Sequence, residues 1–308
     1  MSKTLRIVGA LVLLALTLAL VKPAAVLERL SGLRLSWVLA GVALSVPGYL
    51  LLALRWWHVA RRLGVPMSYR RAVAEYYLGG FVNQTLPTGI AGAALRAVRH
   101  AKRPGPSGEL VGYGKAIHAV ILERISGLIA LAGFALIGTV GLSRDKPIFA
   151  LWGLCALGAV VIAATLVFAL ASRRAKPGLF VERARDALVR EGALLHHALI
   201  SSASVLVLIA SFYCAANATG VGLSLERTFF VAPLILGSMV IPLAVAGWGI
   251  REAASAGLFA ALGTDAATGL VVSIAFGLIS LLASLPGVLL WLAPNDKSGR
   301  GAGVESLD

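Results

Sequence analysis

Runs of about 20 apolar residues, the length a helix needs to cross a bilayer core, recur along the whole of this 308-residue chain. No other feature limits its fold as much. In hydrocarbon every backbone N–H and C=O must find its partner inside the protein, so such runs become helices. They lie at Ile7–Val21, Ser36–Leu54, Lys115–Leu142, between Pro147 and Ala171, at Leu194–Thr219 and at Ala266–Leu292. Only 14% of the residues are charged and 58% are hydrophobic, whereas soluble domains carry roughly 25% charge. The mean hydropathy is +0.87. The chain reads as an all-α polytopic membrane protein with a single transmembrane domain over residues 1–293. A Gly/Ser-rich tail, 294–308, is expected to be disordered. The first run follows MSKTLR like a secretory signal, but Lys22-Pro23-Ala24-Ala25 is a weak cleavage site, so it is expected to stay as the first helix.

Two apolar stretches break the rules for a straight crossing. In Ala72–Arg99, Gly79 and Gly80 loosen the backbone, Asn83, Gln84 and Thr85 add polar groups, and Pro87 with Gly89 interrupts a helical ladder. A Pro-kinked ordinary span is the simpler alternative. The clustering of Gly79, Gly80, the three polar residues and Pro87 within nine positions favours two half-helices meeting at Asn83–Gly89. The second stretch, Thr228–Gly263, carries Pro233, Gly237, Ser238, Pro242, Gly247 and Gly249. Irregular backbone at membrane depth is tolerated only where protein buries it or a water-filled cavity meets it. Six full spans and two re-entrant hairpins result, one entering from each face, which is the pattern of transporters with inverted repeats. The two halves show no obvious sequence identity.

Charge sets the orientation. The formal net charge is +14, from 28 basic and 14 acidic residues, and the basic residues sit in short loops beside apolar spans. That placement orients a membrane protein and argues against nucleic-acid binding. Arg55–Arg71 holds five arginines and no acid, so this loop is expected to be cytoplasmic, as are both termini. Trp56 and Trp57 read as headgroup anchors, and His58, His196 and His197 as interface residues. VERARDALVREGALL predicts an amphipathic surface helix. Gly127, Gly133 and Gly138 would let a neighbouring helix approach closely. Cys155 and Cys214 lie in apolar runs and read as small core residues.

Ionisable residues at membrane depth are costly and tend to be functional. They are Glu75, Arg96, the pair Glu123-Arg124 and the pair Arg251-Glu252. Successive helical residues diverge by about 100°, so Glu123 and Arg124 should seek partners on other helices. Arg96, Arg124 and Arg251 are expected to converge on a cavity, with Glu123 and Glu252 offsetting part of their charge. Arginine suits phosphate because its planar fork binds bidentately and stays charged when desolvated. Gly247 and Gly249 would open a half-helix whose free N–H groups favour an anion, and Thr88 could cap its counterpart. A purely structural role, tying broken helices through buried ion pairs, fits any single arginine equally well. No HExxH, metal-spaced Cys/His cluster, Walker-type phosphate loop or aspartate pair is present, so neither a metal, a cofactor nor a catalytic role is expected.

The segments FVNQTLPTGIAGAALR (Phe81–Arg96), LERISGL (Leu122–Leu128) and GWGIREAA (Gly247–Ala254) resemble, in order, motifs of the lysylphosphatidylglycerol synthase transmembrane, flippase-like family. The resemblance implies a membrane domain that binds and translocates lipids with anionic or modified headgroups. It also implies that Asn83, Pro87, Arg96, Glu123, Arg124, Arg251 and Glu252 line or shape its cavity; Gly89, Gly247 and Gly249, as helix breakers, are expected to shape it too. Ala93 stands where the family often has an acid. The soluble aminoacyl-transfer domain of bifunctional members is absent, so the chain is not expected to make aminoacylated lipid by itself. The expected function is a lipid flippase or transporter of the cytoplasmic membrane, acting on an anionic phospholipid or polyprenyl-phosphate lipid. The alternative is a membrane subunit presenting lipid to a separate aminoacyl- or glycosyl-transferase.

Overall fold

The computed structural model describes residues 28, 30–65, 67–85, 91–103, 110–143, 158, 177–239 and 249–292. The runs expected at Ile7–Val21 and before Ala171, the residues Pro87, Thr88, Gly89, Pro242 and Gly247, and the tail lie outside these. Every regular element among the described residues is helical. Four are long and apolar enough to cross a membrane: α1 (Leu35–Arg62), α4 (Tyr113–Ser143), α6 (Ala193–Ala218) and α9 (Ala266–Ser284) with its continuation α10 (Pro286–Leu292). They correspond to four of the six expected spans.

Between α1 and α4 lie two short helices, α2 (Tyr69–Thr85) and α3 (Ala91–Ala101). At 1.5 Å per residue, α3 reaches only about 16 Å, half of a hydrocarbon core. The pair runs antiparallel: Glu75 meets Arg99, and Gly79 meets Gly92 further along. A Cβ on Gly92 would fall against the Gly79 carbonyl, so glycine at that crossing lets the two backbones touch. Between α6 and α9 lie α7 (Leu225–Ser238) and α8 (Ile250–Ala261), which also pack on each other. Pro233 sits inside α7 without ending it. That helix continues to Ser238, contrary to the reading of Pro233 as part of the break.

Both halves therefore read long, short, short, long. Their junctions match as well. Gly64 (φ 70°) and Gly220 (φ 76°) follow α1 and α6 in the left-handed conformation. In each, the next N–H closes back on the helix, Val65 to the Ala60 carbonyl and Val221 to that of Ala216. Four positions further on, Ser68 and Ser224 accept from the N–H groups of Arg71 and Arg227 and start α2 and α7.

α1 and α6 pack along their lengths in opposite directions. The Arg34 N–H donates to the Ala218 carbonyl, Ser45 Oγ lies 3.4 Å from Ser211 Oγ, Gly48 faces Val207, and His58 faces His197. The second half is thus turned over relative to the first. The exchange is reciprocal, since α4 packs on α7 while α9 and α10 pack on α2. Gly138 and Gly127 serve such approaches, with ideal Cβ positions 2.5 Å from the Phe229 backbone and 2.7 Å from Arg55 Nη1. Gly133 faces nothing within 4 Å among the described residues. The expected surface helix appears as α5 (Pro177–Leu188), with Phe180 and Ala187 buried against Val59 and Ala60 of α1.

The core is divided unequally. The second half fills its interior with Phe212, Phe230, Phe259, Phe276 and aliphatic neighbours. The first half buries Trp56 among alanines and leaves room for charge.

Candidate functional site: a buried arginine–glutamate centre

Glu123, about a third of the way along α4, is 1% exposed and gathers groups from three other helices. Arg55 of α1 donates through Nε (3.1 Å) and Nη2 to Glu123 Oε1. The Tyr76 hydroxyl of α2 donates to the same oxygen at 2.9 Å. Arg96 Nη2 of α3 reaches Oε2 at 3.4 Å. Arg55 also bonds Ser204 of α6 through Nη1 at 3.3 Å. One carboxylate thereby ties the hairpin to the scaffold.

Arg96 is clamped between rings, 4.6 Å from the Trp56 centroid and 4.1 Å from that of Tyr76. Such cation–π contacts each contribute about 0.5–2 kcal/mol, more as water is excluded. Arg124 lies within electrostatic reach of Glu123, Arg96, Tyr76 and Arg55. Two guanidinium groups therefore bond a single carboxylate, and Arg124, the next residue of α4, adds a third positive charge nearby. Arg96 Nη1 and Arg124 Nε are buried without a hydrogen-bond partner among the described residues. The other buried carboxylate of this hairpin, Glu75, is taken by Arg99 at 2.9 Å.

The divergence expected of Glu123 and Arg124 is what the helix shows, because Glu123 bonds residues of other helices. Arg251 and Glu252 behave differently. They pair with each other, Nη2 to Oε1 at 2.7 Å, and Ser273 of α9 joins them at 3.0 and 2.9 Å. Glu252 Oε2 accepts the Gly249 N–H at 2.6 Å. Gly249, at φ 92°, holds a turn that disfavours any side chain. The start of α8 thus receives its own carboxylate, where an external anion had been expected. The two ion-pair centres share no residue in these contacts, so Arg96 and Arg124 come together while Arg251 has a partner of its own.

Asn83 acts across the hairpin. Its Oδ1 accepts the Gly92 N–H at 2.7 Å and satisfies the first turn of α3. The reading of Trp56 as a headgroup anchor is overturned. The helix continues to Arg62, two turns beyond, and Trp56 is 1% exposed. His197, read as an interface residue, is also buried. Arg55, Trp56 and Tyr76 are the members of the centre that sequence reading missed. The signal was the absence of any helix breaker between Leu54 and Gly64, which carries Arg55 and Trp56 into the core. The centre is closed, with Arg96 4% exposed. A cavity of about 460 Å³ lies elsewhere, lined by Trp57, His58, Arg61, Arg62, Asp186 and Arg190.

These features define a polytopic α-helical membrane protein whose interrupted hairpin carries buried charge. The chain belongs to the family described as the lysylphosphatidylglycerol synthase TM region, whose family model matches residues 4–287. Membership points to a membrane protein of lipid biosynthesis or transport. No curated protein matches the chain.

Proposed function

We propose that this protein is a lipid flippase, or transporter, that takes the phosphate of an anionic phospholipid or polyprenyl-phosphate lipid at Arg96 and Arg124. The observation that carries the reading is the imbalance at Glu123. Two buried arginines, Arg55 and Arg96, share one carboxylate, half-buried Arg124 beside them on α4 adds a third positive charge, and Arg96 Nη1 and Arg124 Nε have no partner among the described residues. A buried charge without a partner is expensive, and a phosphate oxygen would meet both needs at once. Arg55 and Tyr76 hold Glu123, Glu123 steadies Arg96, and the aromatic clamp fixes the plane of its guanidinium. Because the centre is closed, loading requires the α2–α3 hairpin to move away from α4. The α7–α8 hairpin, turned over by the repeat, would act at the other face, with Arg251 and Glu252 holding its second helix. In this reading the protein sits in the cytoplasmic membrane with both termini cytoplasmic, needs no cofactor and performs no covalent step.

The test is transfer of a fluorescent anionic lipid between leaflets of vesicles holding the purified protein. Arg124→Gln should lower headgroup affinity by about tenfold or more, with transfer falling in step and the melting temperature held. Transfer unaffected by both Arg124→Gln and Arg96→Gln would reject the reading. The family's description as a synthase region favours one rival, a subunit presenting lipid to a separate transferase. That protein would bind the same lipid without moving it.

A further inference from the structure

We propose that His197 is a proton-binding site coupled to the Glu123 centre. It takes up a proton when a phosphate enters that centre, so anionic lipid and proton are carried together. The inference rests on the reading of Arg96 and Arg124 as the headgroup seat.

Four buried polar atoms mark the site. Both ring nitrogens of His197, Nε2 of His58 and the hydroxyl of Ser201 have no hydrogen-bond partner among the described residues. These groups follow one another inward. The ring of His196, exposed near the start of α6, lies 6.1 Å from that of half-buried His58 on α1. The His58 ring lies 5.3 Å from that of His197. His197 is 3% exposed, and Ser201, about one turn further along α6, is 2% exposed. Ser204 then donates to the Ser201 carbonyl at 2.8 Å and accepts from Arg55, which holds Glu123. Buried polar atoms normally have partners. Imidazole and hydroxyl groups both donate and accept, so a row of them suits water and a moving proton. The guanidinium groups beyond them only donate.

Charge gives the coupling its sign. Arg55, His58 and Arg62 of α1 and Glu123 of α4 lie within electrostatic reach of His197. Glu123 is already bonded by Arg55, Tyr76 and Arg96. From the α5 side, Asp186 and Arg190 line the outer cavity with His58. The helix α9 has no ionisable residue, and those of α7, Glu226 and Arg227, stand in its first turn, beyond the far end of α6. A second proton on the His197 ring would therefore face guanidinium groups, with no uncommitted carboxylate among the described residues to match it. A phosphate at Arg96 and Arg124 supplies that negative charge, so headgroup and proton each favour the other's binding.

The probe is fluorescent phosphatidylglycerol, a phosphodiester whose own charge is constant between about pH 6 and 8, where histidine titrates. Its binding to the full chain in detergent should tighten as pH falls, by up to about tenfold per pH unit, the slope of one linked proton. In vesicles, transfer of the lipid should move protons that a trapped pH dye registers. His197→Gln, at a matched melting temperature, should flatten the slope and abolish the dye signal. Glu191→Gln, in the turn before α6, should keep both. A flat slope in the wild type, equal slopes in wild type and His197→Gln, or a slope lost only in Glu191→Gln would overturn the proposal. Transfer that still depends on Arg96 and Arg124 would then uphold the transport reading. Binding without transfer, with its slope lost in His197→Gln, would reject transport and keep the proton site.

Discussion

Glu123 shows how a charge can be kept inside a bilayer protein. Its cost is met by an arginine fork, a phenol and a second arginine, all hydrogen-bonded to it. A buried pair of this kind adds little net stability compared with well-packed apolar residues, but breaking it strands the partners. Glu123→Gln leaves Arg55 and Arg96 without their anion and is expected to destabilise the protein by about 3–5 kcal/mol, read as a loss of thermal stability in detergent. Tyr76→Phe removes one hydrogen bond and is expected to cost about 1–2 kcal/mol. The identity of the hub was legible, because a Glu-Arg pair in an apolar run is rare. Its partners were not. Arg55 and Trp56 sit where the sequence shows aromatic and basic residues after an apolar stretch, the same pattern an interfacial anchor makes. Only the length of α1, running on to Arg62, places them inside.

Short helices with glycine crossings were legible as elements, since a half-helix needs a breaker and a close contact needs a missing side chain. Which glycines make contacts was not, because that depends on the rotation of α4 about its axis. Gly127, Gly133 and Gly138 look alike in sequence. A Cβ at Gly138 would press on the Phe229 and Phe230 backbone at 2.5 Å, whereas one at Gly133 meets nothing within 4 Å among the described residues. Backbone cannot yield as a side-chain tip can. Gly138→Ala is expected to part α4 from α7 and cost about 1–3 kcal/mol. Gly133→Ala relieves the glycine's entropic penalty and is expected to gain about 0.5–1 kcal/mol. Melting both variants in one detergent checks the contrast, and equal shifts would mean α4 is turned differently.

The repeat was expected from the opposed breaks alone, and the sequence carries more of it than that. Gly64-Val65-Pro66-Met67-Ser68 recurs as Gly220-Val221-Gly222-Leu223-Ser224, 156 positions later. It recurs because both halves need the same left-handed stop and serine start between a long and a short helix. Five residues among so many apolar ones give a faint signal until the joints are seen to match. The packing then dictates orientation. Since α1 and α6 are antiparallel, the joint after α1 and the joint after α6 lie at opposite ends of the molecule. Basic loops remain on the cytoplasmic side, and Arg61, Arg62, Arg70 and Arg71 crowd the first joint, whereas Glu226 and Arg227 balance at the second. The first joint should therefore face inward and the second outward. Arg71 and Arg227 are exposed and hold corresponding places in α2 and α7. With Cys155 and Cys214 replaced by alanine, Arg71→Cys is expected to react with a membrane-impermeant thiol reagent only after cells are opened. Arg227→Cys is expected to react in intact cells. Labelling of both from the same face would mean the halves are not inverted in the membrane, and a transport cycle that alternates between two related hairpins would lose its basis.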